Sequence, residues 1–292
     1  MKEIAPNVYI STKVRNINVG LIALPYGVIA VDVPTLPADA HIWREQIRKI
    51  DKGPLLYIVL TDGHPDRLLS LGILKGTDPV PVVATWPAYK RIASYTDGFW
   101  RSMVDSWNRR VPGVADEVSS EKRPLPEIMF TGKLTLYKGG KNVVLKQVVG
   151  AAPGSLWVRV MTSKQTVVFV GDTLVVGEHP VMSATHDTGG WLETLVDLRR
   201  ARHTGRIIVP GRGPAPADPA DSRPLSGYIA TIRRRVSSML RRGEYSRQDI
   251  AALTSELLPY FPVSDDELDV IQRRVKANVE QVHAELRSLQ SK

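Results

Sequence analysis

With 292 residues and no cysteine, the chain excludes disulfides, thiol catalysis and every cysteine-ligated metal site. Its length suits two domains or one large layered domain, and a hydrophobic share of 43% is ample for a core. Net charge is +9, with 25 arginines among 39 cations; these are spread along the chain without an aromatic-basic module, which argues against a nucleic-acid partner. No run approaches the roughly 20 apolar residues of a membrane helix, and Met1 to Pro6 carry no apolar signal segment. The expectation is a soluble cytoplasmic protein without a membrane contact.

Taken in chain order, strands are expected at Val8–Ile10, Val19–Leu24 and Val28–Val33, with a turn at Pro25-Tyr26-Gly27 and Asp32 ending the third strand. Ile42, Trp43, Ile47 and Ile50 then fall at helical spacing. A buried strand at Leu56–Leu60, a helix over Leu68–Leu74 and a strand over Val80–Ala84 follow. Residues 86 to 129 read as less regular, except that Phe99, Trp100, Met103 and Trp107 are spaced as an amphipathic helix covering core. A second strand set occupies Leu134–Tyr137, Val143–Val149, Leu156–Met161, Thr166–Val170 and Arg206–Val209, with Gly139-Gly140 as a hairpin turn. This alternation of strands and helices implies a layered α/β fold.

From Arg223 the texture changes to three helices. Ile229, Ile232, Val236 and Met239 mark the first, Ser246 with Asp249 caps the second, and Ser264-x-x-Glu267 is a capping box for the third. Val275, Val279, Val282, Leu286 and Leu289 form a heptad-like seam, which either packs back on the chain or pairs two copies, so a homodimer through the C-terminal helices is one expectation. Arg233-Arg234-Arg235 and Arg241-Arg242 give the first helix a basic, solvated face.

The most informative stretch is Thr61-Asp62-Gly63-His64-Pro65-Asp66-Arg67, which directly follows the buried strand. Three later stretches accompany it in order: Gly150-Ala151-Ala152-Pro153-Gly154-Ser155, Gly171-Asp172 at a strand end, and Pro210-Gly211-Arg212-Gly213-Pro214. Together, over roughly residues 5 to 220, they resemble the loops of the metallo-β-lactamase superfamily. That family's patterns are Thr-His-x-His-x-Asp-His, Gly-His-x-Pro-Gly-Ser, Gly-Asp and Pro-Gly-His-Gly-Pro. The resemblance implies a four-layer αββα sandwich, assigned to residues 1–222, and the three helices read from the sequence make residues 223–292 a C-terminal helical extension. In the family those loops hold two metals through five histidines and two aspartates.

Here the turn residues match and most ligands do not. The family's histidines are replaced by Asp62, Arg67, Ala151 and Arg212, while His64, Asp66 and Asp172 are retained. Of the six histidines, His41, His64, His179, His186, His203 and His283, only His64 falls at a ligand position of the pattern. His186, in Ser183-Ala184-Thr185-His186-Asp187, is a candidate for the pocket rim.

Two readings follow. In the first, the protein is a pseudoenzyme with a degenerate metal site, in which Arg67 and Arg212 replace the metal charge beside Asp66 and Asp172. The arginines, with His186, would then bind a small anionic ligand such as a phosphate or carboxylate. A guanidinium about 4 Å from a divalent ion would be repelled by roughly 8 kcal/mol at an effective dielectric near 20, which argues against a dinuclear site. In the second, Asp62, His64, Asp66 and Asp172 hold one divalent ion (zinc, manganese or magnesium), and Asp66 orients a metal-bound nucleophile for hydrolysis of an ester, lactone or thioester.

Overall fold

Side chains alternate across each strand, and the alternation sorts the apolar residues into three cores. A computed structural model of the chain describes residues 1–50, 52–119, 123–138, 141–182, 184–200, 205–243 and 246–290. In the first half, β1 (Lys2–Ala5), β2 (Val8–Ser11), β3 (Val19–Leu24), β4 (Gly27–Val31), β5 (Leu55–Val59), β6 (Val82–Thr85) and β7 (Ile128–Phe130) lie side by side in chain order. Pairing is antiparallel through β4 and parallel from β4 to β7. The second sheet has the order β12-β11-β10-β9-β8, built from β8 (Lys133–Lys138), β9 (Lys141–Gln147), β10 (Leu156–Met161), β11 (Thr166–Val175) and β12 (Ile207–Arg212).

Ile22, Ile29, Val31, Val59 and Val83 of the first sheet meet Leu145, Val158, Val167 and Phe169 of the second in a buried layer between the sheets. The opposite faces of the same strands, Leu21, Ala30, Ile58 and Val82, pack under the outer helices of the first half. Those helices are α1 (Pro37–Arg48), α2 (Leu71–Lys75), α3 (Trp86–Ala93), α4 (Asp97–Arg110) and α5 (Val114–Glu117). The outer face of β11 packs through Val168, Val170 and Leu174 under α6 (Thr188–Leu198) and α7 (Ser222–Arg242), and α8 (Arg247–Leu257) and α9 (Leu268–Gln290) extend the same core. The result is the expected αββα sandwich with C-terminal helices.

Several local expectations need correction. Residues 86–93 form a helix rather than irregular chain: Thr85 accepts from the Ala88 amide at its start and Pro87 sits in its first turn, where a proline has no amide to lose. The helix expected over Leu68–Leu74 is shorter, a 3₁₀ turn over Pro65–Arg67 followed by α2. The Ser264–Glu267 contact forms just ahead of α9, not on its first turn. The Gly139-Gly140 turn and His203 lie outside the described residues.

The C-terminal seam packs inside the chain. Val275, Val279 and Val282 are fully buried against the helices and loops of the second half, while Leu289 is exposed. Beside the seam runs a polar row at the same spacing. Arg274 donates to the His179 carbonyl (3.1 Å), Asn278 takes the Met182 amide (2.9 Å) and donates to the Pro180 carbonyl (2.9 Å), and Gln281 donates to the Thr185 carbonyl (2.6 Å). Glu285 closes the row on the Thr188 amide and hydroxyl. Thus α9 is tied to the segment after β11 at His179, Pro180, Met182, Thr185 and Thr188. Among the described residues no helix is long and apolar enough to cross a membrane.

Candidate functional site

Parallel strands bring their carboxyl ends to one edge, where the connecting loops can converge. Asp32 follows β4, Thr61 and Asp62 follow β5, Asp172 lies in β11, and Arg212 ends β12. The β11–β12 register slips on both sides of Gly171, which takes Asp172 out of the regular ladder. A Cβ on Gly211 would sit 2.3 Å from Asp172 Oδ1, so only glycine lets the β12 backbone pass this close to the carboxylate.

Two arginines fill the centre. Arg67 is 0% exposed and Arg212 is 2% exposed, which is rare for this residue type unless it is paired. Arg67 grips Asp172 with two donors, Nη2 to Oδ1 at 2.8 Å and Nη1 to Oδ2 at 3.3 Å. Its Nε donates to the Thr61 hydroxyl at 3.0 Å and lies 3.1 Å from Asp32 Oδ1, while Nη1 lies 3.5 Å from Asp62 Oδ1. Arg212 donates from Nε to Asp172 Oδ2 (3.0 Å), from Nη2 to Asp66 Oδ2 (3.2 Å) and from Nη1 to the Asn16 carbonyl (3.1 Å). Asp172 is therefore shared by both guanidinium groups.

The four carboxylates divide by environment. The Arg212 and Arg67 cations overcome burial at Asp172 and hold its carboxyl far below the usual range. Asp66 is also held low: His64 and Arg212 beside it outweigh desolvation. Asp32 and Asp62 go the other way, because burial outweighs the field of Arg67. Asp32 accepts from the Thr61 amide (2.8 Å) and hydroxyl (2.7 Å), and Asp62 accepts from the His64 amide at 2.8 Å. Burial lowers the His64 pKa, with Asp66 opposing. Its Nδ1 lies 3.3 Å from the Asp66 amide and 3.4 Å from Asp66 Oδ2, so ring and carboxylate sit in direct contact.

A test separates the two kinds of carboxylate. Asp62 has a raised pKa, so its stability contribution is fully present below the unfolded value of about 3.9 and is lost as pH rises through the folded value. Asp62→Asn keeps the acceptor for the His64 amide. It is expected to change neutral-pH stability by less than about 1 kcal/mol and to flatten the decline that sets in as pH rises above about 4, measured by urea unfolding. A neutral-pH loss of several kcal/mol would show that Asp62 belongs with the paired group.

The remaining expected residues lie as follows. Ala151, where the family pattern has a histidine, is buried in the apolar core of the second half. His186 is exposed, and among the described residues no hydrogen bond or ion pair ties it to the arginine cluster. Among the described residues, no group of three or more histidine, aspartate or glutamate side chains is arranged to hold a metal ion.

Three parts of the site were not anticipated. Asp32 adopts a left-handed backbone at φ 59° and faces Arg67. Asn18 bonds the Pro210 (3.0 Å) and Gly213 (2.9 Å) carbonyls, locking the strand that carries Arg212 to the first half. Arg274, from α9, lies close enough to Arg212 and Glu178 to feel both charges; its own pKa is lowered, chiefly by burial.

The sequence pattern of the metallo-beta-lactamase superfamily matches residues 13–212, two-thirds of the chain, and so spans every loop just described. The chain belongs to the metallo-beta-lactamase superfamily. Solved structures share its fold at low identity. A metallo-beta-lactamase family protein from Thermus thermophilus is 18% identical with a TM-score of 0.65, covering 99% of this chain and 95% of its own. A beta-lactamase domain protein from Burkholderia ambifaria is 16% identical at TM-score 0.65, covering 99% and 88%. A stereoselective inverting sec-alkylsulfatase from Pseudomonas sp. is 14% identical at TM-score 0.65, covering 96% of this chain but 49% of its own. Coverage of 99% means that the likeness extends through the C-terminal helices. No curated protein sequence matches the chain.

Proposed function

We propose that this protein is a non-catalytic member of the superfamily, in which Arg67 and Arg212 supply the positive charge that metal ions supply elsewhere in the fold. The observation that carries the reading is the Asp172 carboxylate, gripped at 2.8 and 3.3 Å by Arg67 and at 3.0 Å by Arg212, both arginines being almost wholly buried. Buried carboxylates are intolerable unpaired, and the two cations meet that need without an ion.

A divalent ion does not fit this donor set. Asp66 and Asp172 already receive guanidinium donors, and a dication about 4 Å from one of them would be repelled by roughly 8 kcal/mol at an effective dielectric near 20. The family's histidine position at residue 151 offers only a methyl group. Because each guanidinium faces carboxylates from inside the protein, the same geometry favours a structural role for Arg67 and Arg212 over capture of a diffusible anion.

Purified protein assayed against a generic ester, a lactone and a thioester is expected to show no turnover that EDTA abolishes. Turnover lost both with chelator and in Asp66→Asn would instead support a mononuclear hydrolase using Asp62, His64, Asp66 and Asp172.

A further inference from the structure

The outer face of the second sheet is covered by helices over β11 and at Trp157 of β10, and it is open beyond them, where Tyr137 and Met161 stand 73% and 72% exposed. On this open face lies a cleft of about 450 Å³. Its apolar floor is half-buried Val144 with the buried Trp157 and Val168 beneath it, and Lys133, Lys146 and Arg159 form its wall. Arg206 and Asp197 close it on the α6 side.

The cations are placed against their own repulsion. Lys133 lies directly opposite Lys146 in the β8–β9 register, and like charges so paired destabilise a sheet. Arg159 pairs with Val144, and Trp157 with Lys146, so Arg159 is the diagonal neighbour of Lys146. At the other end of the same strand pair, Lys138 faces Lys141 in the same way. Among the described residues none of Lys133, Lys146 and Arg159 forms an ion pair with a carboxylate, and Asp197 is 3.3 Å from Arg200. A solvated surface gains nothing from three adjacent unrelieved cations around an apolar floor. A polyanion bearing a flat ring would relieve the repulsion and cover the floor at once.

We propose that this cleft binds a nucleoside polyphosphate, with the phosphates on Lys133, Lys146 and Arg159 and the base over Val144, Trp157 and Val168. The volume lies within the usual range for small-molecule sites. Phosphate suits the wall because lysine and arginine both bind it through charge-assisted hydrogen bonds. The site is separate from the buried arginine cluster and does not depend on whether that cluster is catalytic.

The test is isothermal titration of the full chain with ATP at about 0.1 M salt, beside pyrophosphate, adenosine and a single-stranded oligonucleotide. ATP is expected to bind at one site per chain, with at least a tenfold loss of affinity in Lys146→Glu and in Arg159→Glu. Both residues are exposed, and circular dichroism with a melting curve shows that the variants fold. Arg241→Glu, on α7, makes the same charge change elsewhere and is expected to leave ATP affinity within twofold. An equal loss in Arg241→Glu would show mere attraction to a basic protein and overturn the proposal. Pyrophosphate binding as tightly as ATP would remove the base from the cleft, and binding of the oligonucleotide alone would assign the face to nucleic acid; either result overturns the proposal. So would the absence of ATP binding at millimolar concentration.

Discussion

Arg67→Ala is expected to destabilise the protein by about 3–5 kcal/mol, the usual cost of removing one partner from a buried charge pair. The substitution leaves Asp172 with one cation instead of two and strips Asp32 and Asp62 of the guanidinium that faces them, at a position with no solvent exposure. For a chain of this size that corresponds to a fall in melting temperature of roughly 10 °C, measurable by calorimetry. A loss below about 1 kcal/mol would mean that the cluster is hydrated and weakly coupled. A second variant separates charge from packing. Arg67→Met combined with Asp172→Leu replaces the pair by apolar side chains and should recover much of the loss, since a buried ion pair is often worth no more than a well-packed apolar one. Arg212 then retains Asp66 as its partner.

Acid should undo the same cluster. Asp172 and Asp66 have folded pKa values below the unfolded value of about 3.9. A depressed carboxyl contributes stability that is present above its unfolded pKa and is lost as pH falls through its folded one. Urea unfolding is therefore expected to show stability dropping steeply below about pH 4. Asp172→Asn should be strongly destabilised at neutral pH, because two guanidinium groups lose their shared anion. The variant's profile below about pH 4 should be flatter than that of the native protein. Parallel acid limbs in the two proteins would place the titration in other carboxylates.

Much of this was legible because turns depend on the backbone and backbone requirements are written locally. Gly171 at φ 54° and Gly154 at φ 80° hold conformations that disfavour any side chain, so these positions survive in recognisable motifs even where the ligands do not. Charge and position in those motifs point to arginine–aspartate pairing but not to its partners: Arg67 binds Asp172, while Asp66, its neighbour in sequence, goes to Arg212. Asp32 was missed because its partners Thr61 and Arg67 lie about thirty residues away, across a parallel strand pair whose register no local pattern displays. Arg274 and Asn18 are harder still, since their roles exist only after α9 and β12 have docked. The seam on α9 shows the converse limit. A heptad pattern reports an apolar face and not what covers it, and here the chain covers Val275, Val279 and Val282 itself.

If two arginines, and not metal ions, neutralise the carboxylates of this fold, the protein should hold no tightly bound metal. Elemental analysis by plasma mass spectrometry tests this on protein purified without chelator and then dialysed against zinc, manganese and magnesium in turn. Far less than one ion per chain is predicted in each case, with a melting temperature unmoved by EDTA. One or two tightly held ions per chain, released in Asp172→Asn and lowering the melting temperature when removed, would contradict it.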